Sequence, residues 1–235
     1  MPIERNNSPT IKAVIFDYGL VLVRSPTKQE FGRMAQIFNV GFELFYQLWE
    51  SSRDLYDRGD ISAEEYWQKL ASKTNTSIDP GQIEFLRKVE VEIWSHPYPE
   101  MLDWVRLLQT SGIKTGVLSN MPLDLAGHVR TNGHWVETFD FKTLSAEVRM
   151  IKPERAIYEH TLNGLGVAAT ETLFLDDREP NIRAARTLGI HAIQFSSIGQ
   201  LRKELEVLGF PIPPVVASSD RNPGDRAGQE AKFQL

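Results

Sequence analysis

The feature that most limits how this chain can fold is a charge at the end of a buried strand. Ala13-Val14-Ile15-Phe16 is apolar throughout and reads as a strand covered on both faces, yet it runs straight into Asp17, with Gly19 close behind. Burying an ionised carboxylate costs several kcal/mol unless backbone donors or a cation compensate. A second apolar run, Thr172-Leu173-Phe174-Leu175, ends the same way, in Asp176-Asp177. Two strand ends carrying three carboxylates suggest a hard cation such as Mg²⁺ between them.

Composition sets the outer bounds. At 235 residues, 41% hydrophobic and 24% charged, the chain is long enough for one large core, or for a core and a smaller domain. The absence of cysteine excludes disulfides, thiolate metal sites and cysteine nucleophiles, and fits a reducing cytoplasm. A net charge of −5 without a basic cluster argues against nucleic acid as a partner. Neither an apolar leader nor a stretch near the ~20 apolar residues of a membrane helix is present, so a cytoplasmic location is expected.

After the first strand, at about 12–16, the periodicity turns helical for some seventy residues. Thr27 with Glu30 and Ser62 with Glu65 have capping-box spacing. Four apolar stripes follow the helical period: Phe31, Met34, Ala35 and Phe38; Phe42, Phe45, Leu48, Trp49 and Tyr56; Tyr66, Trp67 and Leu70; Ile83, Leu86, Val89 and Ile93. From Glu100 helices and strands alternate, with strands expected near 114–118, 139–143, 172–175 and 191–195. Pro153 suits the first turn of a helix through about Asn163. The pattern predicts an α/β fold, a Rossmann-like parallel sheet with helices on both faces and an inserted helical-bundle cap. The core is expected over 1–23 and 97–208, the cap over 24–96, and a polar, proline-rich tail over 209–235.

In open parallel sheets ligands lie beyond the carboxyl ends of the strands. Asp17, Ser119 and Asp176 fall at such ends, and Lys152 lies on the same loop side. A carboxylate nucleophile, a hydroxyl donor, a cation and an acidic pair are the parts of a phosphoryl-transfer site. Trp49, Tyr56, Trp67 and Trp94 read mainly as cap core, with one or two facing substrate, and the five histidines have no metal-ligand spacing.

The ordered set Phe16-Asp17-Tyr18-Gly19, Leu118-Ser119-Asn120, Ile151-Lys152-Pro153 and Leu175-Asp176-Asp177, with Asn181 and Gly189 following, resembles the four motifs of the haloacid dehalogenase superfamily over roughly 12–195. The inserted bundle resembles its C1 cap, and the first motif is similar to that of the phosphatases with Asp-x-Gly, a group that includes a bacterial α-glucose-1-phosphate phosphatase. The resemblance implies Asp17 as nucleophile, the Gly19 carbonyl on Mg²⁺, Ser119 and Asn120 on the phosphoryl group, Lys152 as its counter-ion, and Asp177 on the metal with Asp176 beside it. It therefore implies a Mg²⁺-dependent phosphatase acting on a small phosphorylated metabolite, a sugar phosphate among the options, as a monomer or homodimer.

One position departs from the pattern. Most phosphatases of the superfamily carry a second Asp two residues after the nucleophile to protonate the leaving group and activate water, and this chain has Gly19. Tyr18, Arg24 and His96 are the stand-ins the sequence offers. Two rival readings follow: a 2-haloacid dehalogenase, in which Asp17 attacks carbon without a metal, and a phospho-ligand binding protein without turnover. The acidic pair disfavours the first, as does Gly19 where those enzymes have Tyr.

Overall fold

The structure, a computed structural model, describes residues 10–211. In chain order the elements are β1 (Ala13–Phe16), α1 (Lys28–Ala35), α2 (Phe42–Glu50), α3 (Asp54–Asp57), α4 (Ala63–Lys73), α5 (Pro80–Ile93), α6 (Pro99–Thr110), β2 (Lys114–Ser119), α7 (Leu123–Asn132), β3 (Phe141–Leu144), α8 (Ser145–Val148), α9 (Arg155–Leu165), β4 (Thr172–Asp176), α10 (Glu179–Thr187), β5 (His191–Gln194) and α11 (Ile198–Val207). All five strands are parallel, in the order β3-β2-β1-β4-β5. The fold is thus α/β with a helical insertion between β1 and the rest of the sheet, as the alternation predicts.

The central position of β1 explains its composition. With neighbours on both edges and helices on both faces, its four residues are 0–1% exposed. Val14 and Phe16 point into a cluster with Trp104, Leu125 and Leu201 from α6, α7 and α11. Ala13 and Ile15 point the other way, onto Ile157, Tyr158 and Ile182 of α9 and α10. The side-chain period of two divides one strand between two half-cores. Phe16 pairs with Val117 and with Leu175, so Asp17 emerges beside the end of β4, and its N–H donates to Leu175 O at 2.8 Å.

The insertion carries its own core, a cluster of buried side chains from Phe31 to Ile93 that includes Trp67, Leu70 and Leu86, each 0% exposed. Both expected capping boxes form: Glu30 N donates to Thr27 Oγ1 and Glu65 N to Ser62 Oγ, and the glutamates return the bond. A third box, Asp79 with Gln82, opens α5. Two chain segments join insertion and sheet, side by side. Val23 bridges Pro97, Arg24 N donates to His96 O at 2.9 Å, and Tyr98 N donates to Leu22 O at 2.8 Å.

Three sequence expectations shift. The stripe from Phe42 to Tyr56 is broken into α2 and α3 rather than one helix. Pro153 lies ahead of the helix whose N-cap is Glu154, within the turn that carries Lys152, so it ends a loop instead of starting α9. The boundary at 209 is early, because Phe210 is buried against Trp104 and donates its N–H to Leu205 O at 2.8 Å. The rest of the expected tail, and residues 1–9, lie outside the described residues.

Candidate active site

The carboxyl ends of β1 and β4 bring Asp17, Asp176 and Asp177 together, one carboxylate oxygen of each lying within 4.8 Å of the others. Lys152 reaches them from the loop after α8. Its ammonium, almost fully buried, sits 2.9 Å from Asp17 Oδ1 and 2.7 Å from Asp176 Oδ2. Asp17 and Asp176, 159 positions apart in the chain, thus share one cation.

Each group in this cluster is held from behind. Asp176, 0% exposed, also accepts from Asn181 Nδ2 at 3.0 Å on both oxygens and from the backbone N–H of Arg178 at 2.8 Å. Asn181 in turn takes the Tyr158 hydroxyl on its carbonyl at 3.0 Å. Asp17 accepts the backbone N–H of Tyr18 at 2.6 Å. Asn120 clasps the lysine loop: its Nδ2 donates to Lys152 O at 2.9 Å, and its Oδ1 accepts from Lys152 N at 2.8 Å. The expectation that Asn120 meets a phosphoryl group is thereby narrowed, since its side chain is committed to Lys152 and only its backbone is left for that role. Ser119, at the end of β2, is 3% exposed, and among the described residues its hydroxyl has no hydrogen-bond partner.

The electrostatics follow from burial. Loss of water pushes the Asp17 carboxyl up to about 7, with the negative charges of Asp176 and Asp177 adding to the effect and Lys152 opposing it. For Lys152 burial disfavours the ammonium, but the two carboxylates outweigh it and its pKa rises above the ordinary lysine value. Three carboxylates against one ammonium leave the cluster acidic.

The stand-ins for a proton donor do not converge here. Both guanidinium nitrogens of Arg24 bind Glu30, at 2.9 and 2.6 Å, and His96 Nε2 lies 3.9 Å from the same glutamate. The Tyr18 hydroxyl donates to Trp94 O at 2.9 Å, while its ring stacks on Trp135. Of the four aromatics among which the sequence places one or two facing substrate, Trp94 is the one that borders Gly19. Its indole lies so close to Gly19 that a Cβ there would stand 3.3 Å from Cζ3. Gly19 is not in the left-handed region; Leu20 is, at φ 63°.

A profile of haloacid dehalogenase-like hydrolases matches residues 11–189, which span the insertion and every residue of this cluster. The chain belongs to the haloacid dehalogenase-like hydrolases. This hydrolase is 27% identical over 182 residues to the sesquiterpene phosphatase astK of Aspergillus oryzae, covering 77% of this chain and 88% of that one. Among solved structures it resembles a haloacid dehalogenase-family enzyme of Bacteroides thetaiotaomicron in complex with magnesium and inorganic phosphate, with a TM-score of 0.62, 22% identity, and 78% and 93% of the two chains covered. It equally resembles the L-2-haloacid dehalogenase of Xanthobacter autotrophicus bearing covalently bound chloropropionic acid, with a TM-score of 0.62, 20% identity, and 87% and 85% covered. At such identities the structural likeness establishes the hydrolase fold and leaves the reaction to be argued from the site. Among the described residues no helix is long and apolar enough to cross a membrane.

Proposed function

We propose that this hydrolase is a Mg²⁺-dependent phosphatase of small phosphorylated metabolites, with a C1-type cap over 24–96 and an aspartyl-phosphate formed on Asp17. The carrying observation is the cluster itself: Lys152 bridging Asp17 and Asp176, with Asp177 beside them. The residues fit the ion. An all-oxygen donor set with an excess of negative charge is what a hard divalent cation requires. Asp17, Asp177 and the Gly19 carbonyl would hold it, and it would supply charge neutralisation at the transferred phosphoryl group.

The rest is the work of the chain. Asp17, at the end of a strand fixed on both edges, presents a carboxylate oxygen to phosphorus. Lys152 holds one Asp17 oxygen and offers positive charge to the equatorial phosphoryl oxygens. Ser119 has a hydroxyl to donate to the same group. Asn120 and Asn181 are positioning residues, one fixing the Lys152 loop and the other fixing Asp176. A sugar phosphate and an apolar organic phosphate are both admissible substrates, the second suggested by the sesquiterpene phosphatase among its relatives. The charge balance disfavours a 2-haloacid, whose carboxylate would meet three others with one lysine between them.

The test is phosphate release from a panel of metabolite phosphates with Mg²⁺ and with chelator. Release is expected only with the divalent ion and is expected to vanish in Asp17→Asn. Undiminished release in chelator, or from Asp17→Asn, would remove this reading.

A further inference from the structure

Phosphoryl transfer to Asp17 leaves an oxygen carrying negative charge, and the described residues offer that oxygen no proton. The tyrosine hydroxyls close to the cluster are donated elsewhere, Tyr18 to Trp94 O and Tyr158 to Asn181 O, and the Ser119 hydroxyl is taken by the phosphoryl group in the reading above. Asp176 is fully engaged with Lys152, Asn181 and the backbone of Arg178, and Asp177 faces the same point as Asp17 and Asp176. Arg24 and His96 gather on Glu30. Where a side chain at position 19 would project, the space is taken by an apolar ring. The Trp94 indole is 3.3 Å from the ideal Cβ, and its carbonyl is tied down by the hydroxyl of the residue next to the nucleophile. Trp94 packs against both the sheet core and the cap core, so this ring is part of the joint between them.

We propose that this site expels its leaving group unprotonated beside the indole of Trp94, and that, within the range of substrates admitted above, it favours phosphates of acidic hydroxyls, such as phenols and enols, over those of alkyl alcohols. The inference rests on the phosphatase reading above. In the first step a bond forms between Asp17 Oδ and phosphorus while the bond from phosphorus to the leaving oxygen breaks. The electron pair departs with that oxygen, which takes its proton from bulk water afterwards. In the second step water attacks phosphorus, the bond to Asp17 breaks, and phosphate and one proton are released. A conjugated leaving group spreads its charge and lays a flat face on an indole; an alkoxide does neither.

The decisive measurement is a leaving-group series on the full-length wild-type protein with Mg²⁺: 4-nitrophenyl, phenyl and 4-methoxyphenyl phosphate, then ethyl phosphate. A general acid ordinarily supplies about 10²–10⁴-fold, so kcat/KM should fall steadily along the aryl members and by at least about that factor at ethyl phosphate. A flat profile would overturn the inference and leave the phosphatase reading standing. Phosphate release from no member would overturn both. A second arm restores the missing group. Gly19 has an ordinary backbone conformation, so Gly19→Asp combined with Trp94→Ala has both the φ and the room for a carboxylate. That variant should narrow the gap between 4-nitrophenyl and ethyl phosphate about tenfold or more. An unchanged gap in a folded double variant would refute the role given to Trp94, and a variant that does not fold leaves the wild-type series to decide.

Discussion

Asp17 is a buried carboxylate and the proposed nucleophile, and the two demands act on its proton in opposite directions. Burial raises its pKa to about 7 against an ordinary value of 3.8, while the Lys152 ammonium at 2.9 Å pulls it down. Because the folded pKa lies above the unfolded one, Asp17 contributes stability that is fully present below about pH 4. That contribution is lost as pH rises towards 7, at about 1.4 kcal/mol for each unit of separation. The metal-free protein is therefore expected to lose thermal stability between pH 4 and 7, and Asp17→Asn to flatten that decline. Divalent ion at pH 6 should displace the proton, so titration calorimetry in buffers of different ionisation enthalpy should show proton release in wild type and much less in Asp17→Asn. A metal-free melting temperature equally steep with pH in Asp17→Asn would put the titrating group elsewhere. The acids and the lysine were legible in the sequence because each sits at a strand end or loop that the hydrophobic pattern itself delimits. The clasp of Asn120 on Lys152 was not, since it joins a side chain to backbone 32 residues away through a turn whose shape no local rule specifies.

The helical insertion is held by more than its apolar stripes. Inside it the Arg53 guanidinium bonds Asp57 at 2.7 Å and also Glu90, lies 4.5 Å from the Trp49 ring centre, and is ringed further by Tyr56 and Tyr66. Glu90, 1% exposed, takes the Trp49 Nε1–H as well. Removing one member of a buried ionic set strands the others, at a cost of about 3–5 kcal/mol, whereas replacing the whole set with apolar residues of similar volume can be neutral. Arg53→Ala is accordingly expected to unfold the cap at markedly lower denaturant, read by tryptophan fluorescence, while Arg53→Met with Asp57→Leu and Glu90→Leu should recover most of that loss. A loss in the triple variant as large as in Arg53→Ala would show that the charges themselves stabilise the cap. Here the sequence was half legible: Phe31, Trp67 and Leu86 are read directly from helical spacing, whereas the burial of Glu90 next to Val89 is not. Its partner was hidden, because Arg53 stands at the break between α2 and α3, where the periodicity that locates a buried face stops.

At the scale of the whole molecule the question is what seats the insertion, the proposed cap, on the sheet. Ion pairs span the joint, Arg87 with Asp124 at 2.6 Å, Arg58 with Glu154 at 2.7 Å and Asp60 with Arg149 at 2.8 Å, but partly exposed pairs of this kind contribute about 0–1 kcal/mol each. The closer fit is between the turn after α3 and the start of α8. Ser145 Oγ donates to Asp57 O and accepts from Met121 N at 2.8 Å, which links the cap turn to the loop that follows Ser119. Next to it Gly59, at φ 78°, leaves room for only 2.9 Å between an ideal Cβ and Ala146 O. Gly112 offers a matched control: its φ is 79°, it lies in the turn after α6, and nothing stands within 4 Å of its Cβ position. Alanine at either position carries the left-handed backbone penalty of about 1–2 kcal/mol. Only Gly59→Ala also pushes the cap turn off α8. Both variants should therefore lose comparable global stability, but Gly59→Ala alone should lower kcat/KM for phosphate release severalfold, because in the proposed mechanism closure of the insertion would exclude water from Asp17. Equal kinetics in the two variants would mean that the contact at Ala146 bears on folding and not on closure.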